Sequence, residues 1–103
     1  MKNSPSLWNT VSYTTIHGAN KEHNVTVYSL STCPHCFAAK KFLKDKGISF
    51  DYMDVDTSTR DEKKEITLFL KRNTLPFAFP VIVIDDKIVI GFKKEEIEAL
   101  LDA

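Results

Sequence analysis

Cysteine is scarce in this chain, with only two in 103 residues, and so are glycine, with three, and tryptophan, with one. Two cysteines cannot build the set of bridges that staples small secreted domains. The chain does not need them. One domain of this length, 43% apolar, can bury a core unaided, and that fraction argues against disorder. Net charge is missing as well: fourteen Lys and Arg balance fourteen Asp and Glu. No overall field therefore draws the chain to nucleic acid or to an anionic membrane. No apolar run approaches the ~20 residues of a membrane span. Internal repeats and low-complexity segments are absent from the sequence. The opening Met1-Lys2-Asn3-Ser4-Pro5 lacks the apolar stretch of a signal peptide, so a cytoplasmic setting is expected. A monomer is expected too.

Both cysteines lie in Thr32-Cys33-Pro34-His35-Cys36, where a predicted strand ends and a helix begins. Thiols three positions apart on a first helical turn share one side of it and can close a disulfide. A bridge around one turn gains little through loop closure, so its value lies in opening and closing. Pro34 suits the first helical position, where its missing N–H costs nothing. Cys33 is then the cap, over unpaired backbone donors and the positive end of the helix dipole, the setting that makes a cysteine nucleophilic. Cys33 is the candidate attacker and Cys36 the candidate resolver. His35, charged below ~6.5, is a candidate tuning residue beside Cys33. A structural zinc site also uses C-x-x-C, but normally with a second ligand pair. His35 lies inside the cysteine loop, and His17 and His23 stand upstream at no usual finger spacing. The residues favour a redox-active dithiol, with zinc and a structural disulfide as alternatives.

Along the chain, residues 1–8 read as a loose tail, and Thr10–His17 is β-branched enough for an added strand. Gly18–Asn24 is polar and turn-like, with His17 and His23 expected at the surface. Val25–Leu30 is a strand and Pro34–Lys46 a helix ended by Gly47, with Ala38/Phe42 and Ala39/Leu43 facing the core. The cluster Lys40, Lys41, Lys44 and Lys46 reads as a solvated helix face. Ile48–Val55 alternates Ile48, Phe50 and Tyr52 against Ser49, Asp51 and Met53, a second strand joined to the first in a parallel βαβ unit. Ser58-x-x-Asp61 and Thr59-x-x-Glu62 both mark the start of a second helix, with Ile66, Phe69 and Leu70 buried, ending near Asn73. Pro76 and Pro80 bracket the apolar loop Phe77-Ala78-Phe79. Val81–Ile84, a turn at Asp85-Asp86-Lys87 and Ile88–Ile90 form a hairpin. A last helix follows Gly91-Phe92 and buries Ile97, Leu100 and Leu101. The expectation is an α/β fold: a four-stranded mixed sheet flanked by three helices, plus the added N-terminal strand.

That order, with C-P-x-C after the first strand, Phe79-Pro80-Val81 opening the third and Gly91-Phe92 after the hairpin, resembles the glutaredoxin branch of the thioredoxin superfamily. The resemblance covers about Val25 to Ala103, implying a glutaredoxin-like domain over 25–103 behind an extension over 1–24. It implies a thiol–disulfide oxidoreductase in which Cys33 and Cys36 carry the chemistry, without metal or organic cofactor. Pro80 would be the family's cis-proline, setting the backbone of Phe79 and Ala78 to hold an extended substrate. Glutathione-using members tend to carry a lysine three positions before the nucleophile, where this chain has Leu30. They place Thr-Val before the proline, where it has Ala78-Phe79, and Gly-Gly with an aspartate after the last strand, where it has Gly91-Phe92-Lys93-Lys94-Glu95. That segment is more similar to the pattern of NrdH-type redoxins, which take electrons from thioredoxin reductase. Phe92 would partly fill the groove and Lys93 would change its charge. Pro-His between the cysteines resembles the bacterial periplasmic disulfide oxidase. The partners implied are a disulfide-containing protein or small molecule and, as electron donor, a low-molecular-weight thiol or thioredoxin reductase rather than glutathione. An alternative implied by the family is a carrier in which Cys33 of two chains and external thiols hold an iron–sulfur cluster. Pro34, standing where such carriers often have glycine, weighs against it.

Overall fold

The computed structural model describes residues 13–73 and 78–102. In order, its elements are β1 (Thr14–Ile16), β2 (Val25–Ser29), α1 (Pro34–Asp45), β3 (Phe50–Asp54), a 3-10 turn (Val55–Thr57), α2 (Arg60–Asn73), β4 (Val81–Ile84), β5 (Lys87–Ile90) and α3 (Lys94–Leu101). The strands form one sheet in the order β1-β3-β2-β4-β5. Of the strand pairs described, β2 with β3 is the parallel one, as a strand–helix–strand crossover requires. The four expected strands are all present, and β1 is the added fifth. Thr10–Ser12 of that expectation lie outside the described residues, as do the tail over 1–8, Pro76 and Phe77.

Period-2 alternation distributes the strand side chains between two apolar layers. On one face Val25, Val27, Phe50, Ile82, Ile84 and Val89 meet Ala39 and Leu43 of α1 and Ile97 and Leu101 of α3. On the other, Tyr28, Met53, Val81 and Val83 meet Ile66 and Leu70 of α2. The β3 alternation divides two buried sides, because α1 and α3 cover one face of the sheet and α2 the other. Asp51 is 3% exposed and accepts the Thr15 hydroxyl from β1.

The helix ends follow local chemistry. Gly47, at φ +72, lets Gly47 N–H donate to the Lys44 carbonyl and Ile48 N–H to that of Leu43, which closes α1 and buries Ile48 beside Leu43. At the start of α2 the capping pair is Thr59 and Glu62: Thr59 N–H donates to Glu62 Oε1 at 2.9 Å, and Glu62 N–H to Thr59 Oγ1 at 3.2 Å. Ser58, the rival start, instead donates its hydroxyl to the Val55 carbonyl at 2.6 Å.

Two expectations for surface residues are corrected. His23 is not a free surface side chain, being only 14% exposed. Its Nδ1 lies 2.7 Å from Asp85 Oδ2 in the β4–β5 turn and its Nε2 lies 3.0 Å from the Leu101 carbonyl oxygen. Both partners accept, so only an imidazolium, with two N–H groups, donates to both. The Asp85 carboxylate also accepts Asn24 N–H at 2.9 Å. His23 thus clasps the segment before β2, the hairpin and α3 together. The second correction is Lys40, whose side chain is 17% exposed and turned inward to Asp54, unlike the exposed Lys41 and Lys44. Its spacing of four from the buried Cys36 puts it on the face of α1 that meets the sheet.

Candidate active site

The completely buried β2 carries the chain to the cysteines at one end of the sheet. The connecting turn is pinned: Ser31 donates its N–H and hydroxyl to the Asp56 carboxylate at 2.9 and 2.6 Å, and Cys33 N–H donates to the Leu30 carbonyl at 3.2 Å. Cys33 is the N-cap of α1, extended at φ −89 and ψ 116, and Pro34 occupies the first helical turn. Cys33 Sγ accepts the Cys36 N–H at 3.3 Å. The two thiols are unbridged; Cys33 is half-buried and Cys36 is fully buried.

The two environments push the thiols apart. Cys33 is lowered below the ordinary thiol range, first by the hydrogen bond from the Cys36 thiol, then by the backbone N–H groups of Cys36 and His35 and the Lys40 charge, with burial opposing. Cys36 is pushed up to about 12, first by burial and then by donating to Cys33. The surroundings favour the anion at Cys33 and the proton at Cys36. His35 is exposed, and what it presents to Cys33 is its backbone N–H.

The Phe79–Pro80 peptide is cis. Continuing the antiparallel pairing of Tyr28 with Val81 by one step puts Pro80 opposite Ser29, at the end of the sheet that bears the cysteines. Gly91, at φ +83, donates its N–H to the Pro80 carbonyl at 2.7 Å, joining the two loops. Ala78 is exposed, while Phe79 and Leu30 pack on the α2-side core. Phe92 packs on Phe42 of α1, ring centroids 5.7 Å apart, so its ring is engaged with the core. Lys93 is exposed at the start of α3.

Sequence reasoning missed two features beside the motif. Phe37, the residue after Cys36, is 71% exposed. With Lys40, Lys41, Lys44, Asp45 and Tyr52 it lines a cavity of about 300 Å³. Lys40, Asp54 and Ser29 form the other, a hydrogen-bonded chain on the α1 side of the sheet. The i, i+4 spacing of Cys36 and Lys40 was the available signal. His17 and His23 are not brought to the cysteines. Among the described residues no group of three His, Cys, Asp or Glu side chains is placed to hold a metal ion.

The glutaredoxin family model matches residues 25–89. A glutaredoxin-like protein from a rubredoxin operon of Clostridium pasteurianum is 36% identical over 78 residues, 76% of this chain and 97% of that protein. A glutaredoxin-like NrdH protein of Lactococcus lactis is 34% identical over 76 residues, 74% of this chain and 97% of its own length. Among solved structures, the glutaredoxin of Methanosarcina mazei superposes with a TM-score of 0.79 at 35% identity, covering 88% of each chain. A matching family model, relatives aligned over nearly their whole length and the same fold agree: this chain belongs to the glutaredoxin family of thiol–disulfide oxidoreductases.

Proposed function

We propose that this protein reduces disulfides in proteins or small molecules through a dithiol mechanism in which Cys33 is the nucleophile. The Cys33 thiolate attacks one sulfur of the substrate disulfide. A bond forms from Cys33 Sγ to that sulfur, the substrate S–S bond breaks, and the distal sulfur leaves as a thiolate. Cys36 then gives its proton to solvent and bonds to Cys33 Sγ, and the mixed disulfide breaks to release the second substrate thiolate. Two electrons have passed to the substrate, and the Cys33–Cys36 disulfide is reopened by two electrons from an external thiol or a reductase. The scheme uses no metal or organic cofactor. The observation that carries it is the unequal placement of the two thiols: Cys33, half-buried, caps α1 and accepts the Cys36 N–H, while Cys36 is fully buried.

Electrons in this reading come from a donor other than glutathione. Leu30, packed on the core, offers no cation to a glutathione carboxylate, and Gly91-Phe92-Lys93 offers no acid to its ammonium. The likeness to the NrdH protein of Lactococcus lactis, together with the NrdH-like Gly91-Phe92 segment, supports thioredoxin reductase as donor. A small thiol with one anionic group, drawn by Lys93 and Lys94, is the other class that fits. Pro80, Phe79 and Ala78 would hold the substrate backbone, with Gly91 behind them. A cytoplasmic location suits a cycling dithiol; among the described residues no helix is long and apolar enough to cross a membrane.

The test is thiol-specific. Iodoacetamide at pH 6 should modify Cys33 first, Cys36→Ser should accumulate the mixed disulfide, and Cys33→Ser should be inactive. Faster alkylation of Cys36, or turnover by Cys33→Ser, would overturn the assignment.

A further inference from the structure

Beside the cysteines a lysine is held where a helix lysine is ordinarily free. Lys40 follows Cys36 by four residues and Cys33 by seven, a spacing that stacks side chains along one helix face. Helix side chains lean toward the N-terminus, so its stem runs back toward the cysteine turn. Its Nζ donates to Asp54 Oδ1 at 2.9 Å and sits 4.0 Å from the Tyr52 ring centroid. Asp54 is held in turn. It pairs with Ser29 in the β2–β3 ladder and accepts the hydroxyl of that fully buried serine, four residues ahead of Cys33. Immobilising a long side chain costs conformational entropy, and here a carboxylate, an aromatic face and a buried hydroxyl combine to do it.

We infer that Lys40 is a fixed cation assisting the two sulfurs in turn, Cys33 when the substrate disulfide is attacked and Cys36 when the mixed disulfide is resolved. The inference rests on the roles proposed above for Cys33 and Cys36. The Lys40 charge acts on both thiols in the same direction, favouring the anion. In the reduced protein that attraction falls mainly on Cys33, which carries the negative charge. In the mixed disulfide Cys33 is neutral, and the attraction is left to Cys36, the thiol with the proton still to lose. As Cys36 deprotonates, its sulfur bonds to Cys33 Sγ, the bond from Cys33 to the substrate sulfur breaks, and the product leaves as a thiolate. Lys40 neither gives nor takes a proton. Asp54 acts through Lys40: its oxygen holds the ammonium, a contact that an Asn side chain can keep, while its charge offsets part of the cation's pull on the sulfurs.

The experiment compares Lys40→Met, Lys40→Arg and Asp54→Asn in the full chain, each verified as folded by circular dichroism. Iodoacetamide labelling of Cys33 is followed from pH 5 to 10 with the site identified by mass spectrometry, and acid quenching measures mixed disulfide during turnover. Lys40→Met should label Cys33 about threefold or more slowly near pH 6, with the alkaline plateau unchanged. It should also accumulate mixed disulfide. Lys40→Arg should restore both readouts, and Asp54→Asn, which keeps the cation, should label at or above the wild-type rate. A Lys40→Met profile that superimposes on wild type would overturn the inference, as would equal slowing in Lys40→Met and Asp54→Asn. If Cys33 is not the fast thiol in the wild-type protein, the proposed function fails instead, so the two failures are distinct.

Discussion

The His23 clasp makes stability depend on pH in a direction that the geometry fixes. His23→Leu keeps apolar volume and removes both donors. The lost bond to Asp85 is charge-assisted, a class contributing about 1.5–3 kcal/mol when sheltered. Asp85 is 46% exposed, so water replaces much of it and about 1 kcal/mol is a fair value. The bond to the Leu101 carbonyl adds about as much again. A total of about 2 kcal/mol corresponds to a melting point lower by roughly 8–10 °C in a domain of this size. His23 is raised above its ordinary value, first by the bond to Asp85, with burial opposing. The stabilisation is therefore complete below ~6.5 and fades as pH rises through the elevated native value. Asp85 is lowered by the same bond, so its share holds above ~3.9 and fades only as pH falls through its depressed native value. Thermal unfolding of wild type and His23→Leu, followed by circular dichroism from pH 5 to 9, should show the widest gap near pH 5–6, closing toward pH 9. A gap independent of pH would mean that His23 acts by packing alone and would refute the imidazolium bridge.

Two further outcomes bear on the redox chemistry. With a mixed disulfide as substrate, glutathione should support turnover less well than thioredoxin reductase or a small thiol with a single anionic group. Losing charge-assisted partners at two places, about 1.5–3 kcal/mol each, weakens glutathione binding by two or more orders of magnitude; saturation at millimolar glutathione with the highest turnover would contradict this. His35→Tyr keeps the backbone N–H that His35 presents to Cys33, so the reduction potential should stay as in wild type. A potential lowered by about 20 mV, the equivalent of about 1 kcal/mol, would show that the imidazole itself stabilises the thiolate.

What could be read from sequence was local in origin. The strands, the Cys33 cap, Pro34 and the Gly47 stop each rest on residues within one or two turns of each other, where periodicity and capping rules operate. The choice between Ser58 and Thr59 as helix start could not be made that way, because both patterns are satisfied on paper. The structure separates them by giving Ser58 to the end of the 3-10 turn. His23 was illegible for a different reason: its partners, Asp85 and Leu101, lie 62 and 78 residues away. Lys40 shows how a composition rule misleads. Four lysines on one helix suggest a solvated face, yet the sheet beneath reaches one of them through Asp54, fourteen residues on.

The contact between β1 and β3 decides what the sheet exposes at its border. Without β1, β3 would present on one edge the unpaired N–H and C=O groups of alternate residues, an invitation to pair with another chain. Gly18 lets the segment after β1 lie flat on the chain, since a Cβ there would stand 2.4 Å from the Gly47 carbonyl oxygen. The sheet then terminates in a three-residue strand whose first two residues are exposed threonines. At the opposite border β5 begins with an exposed lysine. Short, polar or charged borders make poor templates for a neighbouring strand, and the segment before β2 thereby protects the fold against edge-to-edge aggregation.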